Sequence, residues 1–524
     1  MSQSGPAVTA GGKRKWGVLT VISFSLFMVL LDVTIVNIAL PHIMTSLKVS
    51  LSSIEWVINV YVLVFAVLLL TLGKLGDIFG RKRLFLIGLG IFTLSSLGCF
   101  LAQNYVTLLV FRGVQAIGGA AMMPATLSLL NVEFGQSQRG LALGIWGAVA
   151  GAANALGPII GGALVDTWAW NYIFVINVPI GIGGFIAATM VVKESRDPAA
   201  TRHIDIPGVI IISIALFCLT FALVEGQKYG WTSPTILSLF ALFVIGMIAF
   251  VIVELRTADP LAQLRLFRNR TFAAGNFVGL VVMFGLIGVV FLVVLFLQIV
   301  LGFSAFKAGL TMLPLPVVII FVAPFAGRMT DRIGGRWLLF AGTAITAIGI
   351  YLMSDLTSAT SETSLILPMA VCGLGMGLVM APVTTVVMAS TPLQQSGMGA
   401  GILATMRQIG SVMGISVLGA ILQNQLANNI TNALAKVPQI PSAIRDQIVQ
   451  ALTSGTIGVG GANVPGNIPS FIRDALIILF KDQFAMSLNT AMKVGIIVLL
   501  VGTASSLLIS SHIRKTKRPI SSME

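Results

Sequence analysis

The sequence predicts an all-α polytopic membrane protein with fourteen transmembrane helices. Three observations carry that expectation. The 524 residues are 56% hydrophobic and only 10% charged, whereas a soluble chain averages about 25% charged residues. Apolar runs recur from end to end, each long enough (18 residues or more) to cross a hydrocarbon core of about 30 Å as a helix. The basic residues cluster in the short connections between those runs. Lipid offers the backbone no hydrogen bonds, so the spans must be helices or a closed barrel. Unbroken runs of about 20 apolar residues, without polar alternation, favour helices.

In chain order, spans are expected near residues 17–40, 54–73, 84–102, 105–130, 140–163, 171–192, 207–225, 233–253, 272–298, 306–327, 337–354, 364–388, 399–423 and 485–511. Lys13, Arg14 and Lys15 precede the first run, but that run is too long for a signal peptide and no small-residue cleavage site follows it. With the N-terminus inside and the sides alternating, 22 Lys and Arg fall on the inner side and seven on the outer. That is the bias of cytoplasmic loops. A missed span would invert it downstream, so fourteen spans with both termini cytoplasmic are expected. The same distribution accounts for the net charge of +14 without a nucleic-acid partner. Residues 424–484 are expected to form a long outer loop. Its two amphipathic stretches, SAIRDQIVQALTSG and NIPSFIRDALIILFKDQF, suit either the membrane surface or a mobile loop.

The chain repeats itself. GKLGDIFGRKR follows the second span and GRMTDRIGGR the tenth, so Gly73 aligns with Gly327, Asp77 with Asp331 and Gly80 with Gly334, an offset of 254 residues or eight spans. Glycines allow a tight turn and close helix approach. The aspartate can accept hydrogen bonds from a neighbouring helix N-terminus, and Arg81 stays on the cytoplasmic side. Parallel repeats are a transporter signature, with the substrate site between the halves. The offset implies an N-terminal six-helix bundle over 1–205, two extra helices over 206–260 and a C-terminal six-helix bundle over 261–524.

Specific motifs sharpen this. GKLGDIFGRKR resembles the loop signature of the major facilitator superfamily, although Ile78 stands where the family usually has Arg. FRGVQAIGGAAMMP (Phe111 to Pro124) is similar to the family's proton-coupling helix. WGAVAGAANALGPIIGG (Trp146 to Gly162) resembles the motif of its antiporter branch. LDVTIVNIALP, WNYIFVINVPIG and LFRNRTF resemble segments of the fourteen-helix drug:proton antiporters. The resemblance implies a major facilitator fold in a prokaryotic cytoplasmic membrane. It implies a monomer that exchanges protons for small hydrophobic or amphiphilic substrates, with no cofactor other than the coupling proton.

Few ionisable residues sit deep in the spans, where each is costly. By helical rise, Asp32 lies about 12 Å below the outer end of the first span and Arg112 about 12 Å into the fourth. Opposite charges at matching depth suit a proton site, Asp32 taking and releasing the proton and Arg112 tuning it; a static ion pair that fixes helix packing is the plainer reading. Glu55 opens the second span as an interfacial acid or an attractor of cationic substrate. Asn59 lies one turn further on the same face, and Tyr61 follows; both are candidate cavity residues. Arg407 and Gln408 lie deep in the thirteenth span, with no embedded acid in the C-terminal half. That disfavours divalent cations and leaves neutral, monocationic or anionic amphiphiles open. Gly147, Gly151, Gly157, Pro158 and Gly161 in the fifth span give small faces suited either to a sliding gate or to static packing.

No phosphate loop of the form G-x-x-x-x-G-K-[ST] is present, so ATP drive within this chain is not expected. His42, His203 and His512 are scattered and form no metal cluster. The expected function is secondary active, proton-coupled drug export by alternating access. Export of an endogenous lipid or metabolite is the alternative, followed by a non-transporting membrane sensor. No catalytic cluster points to an enzyme.

Overall fold

The computed structural model describes residues 8–49, 51–134, 138–196, 205–257, 260, 262–392, 395–435 and 470–510. The helices are α1 (Val8–Leu47), α2 (Leu51–Phe79), α3 (Arg81–Phe100), α4 (Tyr105–Glu133), α5 (Arg139–Thr167), α6 (Tyr172–Val175), α7 (Asn177–Val191), α8 (Ile206–Tyr229), α9 (Pro234–Arg256), α10 (Arg270–Leu295), α11 (Ala305–Thr311), α12 (Pro314–Ile333), α13 (Arg336–Leu352), α14 (Ile366–Ala389), α15 (Ser396–Ala435) and α16 (Ser470–Ser506). Twelve helical stretches are long and apolar enough to cross a membrane, and the shorter apolar stretches Arg139–Ala153 and Arg336–Leu352 complete a set of fourteen among the described residues. Two of the spans are jointed. The sixth breaks between α6 and α7, where Pro179 lacks the amide that would bond the carbonyl of Val175. The tenth breaks before Pro314, which opens α12.

Polar caps set several boundaries. Asn104 accepts the Thr107 amide at 2.9 Å, Ser233 that of Ile236 at 3.3 Å and Asn269 that of Thr271 at 3.0 Å. Each satisfies an amide that the first helical turn leaves without a partner. The expected loop over 424–484 is shorter than its sequence range. Helix α15 continues to Ala435 and α16 starts at Ser470, because an amphipathic stretch extends a helix as readily as it lies on a membrane. The stretch SAIRDQIVQALTSG falls outside the described residues.

Large core clusters lie on either side of the molecule. One draws only on residues between Ala274 and Ile509. Another runs from Val18 to Val192 and takes in Met388, Ala400 and Ala404 from α14 and α15. Helix α8 packs against both α2 and α15. Ser416 donates to the carbonyl of Leu223 at 2.6 Å, and the Asn59 amide donates to Glu225 at 3.5 Å. Helix α9 leaves Leu237, Leu242, Ile245 and Ile248 exposed, a face suited to lipid.

The ends that carry the repeated basic turns are held shut. Asp77 accepts the amides of Gly397 (2.9 Å) and Met398 (2.8 Å) at the start of α15. Asp331 accepts the amide of Gly140 (2.9 Å) at the start of α5. Each aspartate thus sits on a helix N-terminus of the opposite half, where the amides are free and the dipole favours a negative charge. Arg81 donates to Asp77 from Nε (3.0 Å) and Nη2 (2.7 Å). Gly80 and Gly334 have φ of 114° and 82°, so the turns after α2 and α12 need glycine. Gly140 and Gly327 meet backbone to backbone; a Cβ on either would fall on the carbonyl oxygen of the other. Gly73 also crosses close to Gly397, whose carbonyl oxygen would lie 2.6 Å from a Cβ at 73.

The Ser128 and Ser396 hydroxyls meet at 2.9 Å across this face. With Cys99, Cys218 and Cys372 replaced by alanine, Ser128→Cys/Ser396→Cys is expected to cross-link under mild oxidant, read on a gel after cleavage between the two positions. Adding Gly327→Val should lower the yield several-fold, because the glycine crossing can no longer close. Equal yields would contradict this account of the closed face.

Candidate functional site

Asp32 of α1 and Arg112 of α4 are brought together in the middle of the first half. Nη1 of Arg112 donates to Oδ2 of Asp32 at 2.5 Å, and the two side chains are 1% and 0% exposed. At this burial the remaining polar atoms of the pair depend on protein partners. Both Asp32 oxygens and the Nε and Nη1 of Arg112 have them. Oδ1 of Asp32 accepts from Nε2 of Gln115 (2.9 Å) and Nδ2 of Asn177 (3.0 Å). Gln115 accepts from Nη1 of Arg112 (2.7 Å) and donates to Ser96 (2.8 Å). Nε of Arg112 donates to the carbonyl of Val57 at 3.2 Å. The guanidinium carbon lies 4.4 Å from the ring centre of Tyr61 and 5.8 Å from that of Phe174, within cation–π range. Five spans therefore meet at one ion pair.

Sequence reasoning found the pair but not its amides. Gln115 is three residues after Arg112 and so shares its helix face. Asn177 is the lone polar side chain between Val175 and Ile180. Both stand inside motifs whose resemblance was noted, and their isolation in apolar surroundings was the available signal.

The other candidates separate. Tyr61 belongs to the ion-pair cluster, and Asn59 turns to Glu225 of α8. The buried Glu225 is an acid that the sequence reading did not single out. The side chains of Glu55 and Pro158 lie outside the described residues. Gln408 is half-buried on α15. Arg407 sits apart from the ion pair and donates from Nη2 to Thr384 (2.6 Å) and to the carbonyl of Met380 (3.3 Å), both on α14.

The small residues of α5 face two ways. Positions 147 and 151 look into the second half, toward Met380 and Ile319. Positions 157 and 161 lie against Thr34 and Ile35 of α1, where a Cβ would clash. One helix therefore touches the opposite half with one end and the neighbourhood of Asp32 with the other. Gly73, Asp77, Gly80, Arg81, Asp331 and Gly334 lie together at the closed face described above. No group of His, Cys, Asp and Glu among the described residues could hold a metal.

Breaking a buried ion pair by removing one partner costs about 3–5 kcal/mol, whereas replacing both with neutral groups can be nearly free. Asp32→Asn alone is therefore expected to destabilise the purified protein, lowering its thermal transition in detergent, with Arg112→Gln alone behaving alike. The double variant Asp32→Asn/Arg112→Gln should recover more than half of that loss. A double variant as unstable as the sum of the singles would show that the pair is not the source of the effect.

Comparison with known proteins gives this geometry a family. The Major Facilitator Superfamily profile matches residues 22–415. The tetracenomycin C resistance and export protein of Streptomyces glaucescens is 33% identical over 496 residues, covering 94% of this chain and 91% of that protein. The multidrug transporter protein MdtP of Bacillus subtilis (strain 168) is 32% identical over 500 residues, covering 93% and 92%. Among solved structures, the proton:xylose symporter XylE bound to 6-bromo-6-deoxy-D-glucose superposes with a TM-score of 0.57 at 13% identity, covering 79% of this chain and 90% of that one. That likeness bears on the fold alone. By profile and by relatives, the chain is a membrane-spanning transporter rather than an enzyme, and it belongs to the Major Facilitator Superfamily.

Proposed function

We propose that the protein exports hydrophobic or amphiphilic drugs across a bacterial cytoplasmic membrane in exchange for protons. The basic turns and both termini face the cytoplasm, by the charge bias of the loops. The halves rock about a central site, and the structure then corresponds to the state closed toward the cytoplasm. The relatives' names, which speak of drug resistance and export, support the substrate class.

One observation carries the proton assignment: the Asp32 carboxylate is enclosed by donors. Arg112 meets Oδ2, and Gln115 and Asn177 meet Oδ1. A carboxylate accepts all three bonds; a protonated acid has a donor of its own and needs an acceptor. A proton on Oδ2 would face the Arg112 N–H, and one on Oδ1 would face two amide N–H groups. Protonation therefore requires Arg112 to withdraw or an amide to turn its oxygen toward Asp32. Withdrawal of Arg112 would shift α4 against α1, whereas an amide turn is local, and α5 is packed on α1 two and three residues beyond Asp32 at Gly157 and Gly161. The same helix holds the opposite half at Gly147, Gly151 and, through its N-terminal amide, Asp331. A change of charge at Asp32 thus has a packed route to the interface that must open.

The cycle follows. Facing outward, the protein releases drug and Asp32 takes a proton; facing inward, the proton leaves and drug enters. The force available is about 2.3 kcal/mol per charge per 100 mV plus about 1.4 kcal/mol per pH unit.

In inside-out vesicles energised by respiration, the wild type is expected to concentrate ethidium or the uncharged dye N-phenyl-1-naphthylamine while dissipating the acid interior. Asp32→Asn should do neither, and Asp32→Glu should retain part of both. Coupled transport by Asp32→Asn at the wild-type rate would remove Asp32 from the proton path.

A further inference from the structure

Arg407 is a part-buried cation with no counter-ion among the described residues. Among the described residues no carboxylate lies within salt-bridge distance of it, and its Nη2 bonds reach only a hydroxyl and a carbonyl. Its Nε is buried and makes no hydrogen bond. Arg112, more deeply buried at 1% exposed, bonds through both Nε and Nη1 and has a carboxylate at 2.5 Å. A guanidinium with a buried unmet Nε and no carboxylate partner is costly, and an anion arriving from outside would relieve that cost.

The position suits such an arrival. Arg407 lies eleven residues into α15, about 16 Å from its N-terminal end by helical rise, near mid-membrane. It is held by the carbonyl of Met380, whose Cβ would lie 3.7 Å from a Cβ added at position 147 of the opposite half. The indole Nε1 of Trp146 is likewise buried with no acceptor. Trp146 precedes Gly147 on α5, and Arg407 is bonded to α14, so each half places an unmet donor on the helices that meet at this seam.

We propose that this seam binds the acidic group of the transported molecule, and that the protein's substrates are amphiphilic organic anions: an apolar body bearing a carboxylate or sulfonate that Arg407 recognises. Thr384 and the Met380 carbonyl hold the guanidinium by Nη2, leaving Nε and the rest of the fork to the anion; Trp146 donates beside it. Departure of the substrate leaves the cation unpaired, so the empty site binds its ligand strongly without a resident acid to displace. This substrate class rests on the exporter reading above.

The test uses a matched pair of dyes, 8-anilinonaphthalene-1-sulfonate and N-phenyl-1-naphthylamine, which share a skeleton and differ by the sulfonate. The full chain is reconstituted in phosphatidylcholine, which removes anionic lipid as an occupant, and transport is driven by a pH gradient. A charge-assisted hydrogen bond contributes about 1.5–3 kcal/mol, or about tenfold and more in affinity. Arg407→Gln is therefore expected to lower the ratio of sulfonate to uncharged dye transported by at least about tenfold, with Arg407→Lys intermediate and Trp146→Phe lowering it less. The sulfonate should raise the aggregation temperature of the wild type in detergent and lose that effect in Arg407→Gln, a readout independent of transport. An unchanged ratio in Arg407→Gln, or a wild type that takes the uncharged dye but neither moves nor is stabilised by the sulfonate, overturns the proposal. If the wild type moves neither dye, the exporter reading falls. The stabilisation by sulfonate then decides the anion site by itself, its loss in Arg407→Gln supporting the site and its absence from the wild type overturning it.

Discussion

The ion pair between Asp32 and Arg112 is the constraint around which the first half is organised. An ionised carboxylate in a water-free interior is unfavourable by several kcal/mol unless every lone pair is met. Meeting them recruits α1, α2, α3, α4 and α7 to one point, through Arg112, Gln115, Asn177, Ser96 and the carbonyl of Val57. The geometry satisfies the charged Asp32, and the neutral acid requires Arg112 or an amide to rearrange. A pair of that kind fixes helix packing and, for the same reason, reports a proton by disturbing that packing. On the proposed function, the structural and the coupling readings of Asp32 are one physical arrangement seen in two protonation states.

The second constraint is the seam. At the basic face, two aspartates from equivalent turns cap helices of the opposite half, and glycines let backbones cross nearly in contact. These contacts are short, directional and few, so they can break together. Helix α5 joins the two constraints, since its glycines serve α1 near Asp32 at one end and the second half at the other. Arg407 adds an asymmetry. On the proposed function, the first half carries a paired charge that would exchange a proton, and the second a cation whose partner the substrate would supply. Coupling then needs no direct contact between proton and drug, only a shared preference for one arrangement of the seam.

Much of this was legible in the sequence because lipid imposes simple rules. Spans announce themselves by length and apolarity, and the positions of Lys and Arg give their sides. Asp32 and Arg112 could be matched in depth from helical rise alone. The repeat at Asp77 and Asp331 pointed to helix N-termini as partners, but not to which helices, since that depends on how the halves meet. Gln115 and Asn177 escaped because neutral amides carry no charge to flag them, and their importance comes from converging on a carboxylate contributed by a third helix. Glu225 escaped because it stands at the end of its apolar run, where an acid looks interfacial; only the packing of α8 on α2 and α15 buries it. The helical ends within 424–484 were missed because a helix leaving the membrane loses the apolar signal that marks it within.

The most direct test of the central claim is the proton itself. The purified protein, in weakly buffered detergent with a pH indicator, would be mixed with saturating 8-anilinonaphthalene-1-sulfonate or ethidium near the pH at which transport is half-maximal. If Asp32 exchanges its proton for substrate, the wild type changes the bulk pH on binding, with an amplitude that passes through a maximum as the starting pH is varied. Asp32→Asn then binds the same ligand with no proton signal. A proton signal of wild-type size and pH dependence in Asp32→Asn would contradict the account and place the coupling group elsewhere in the molecule.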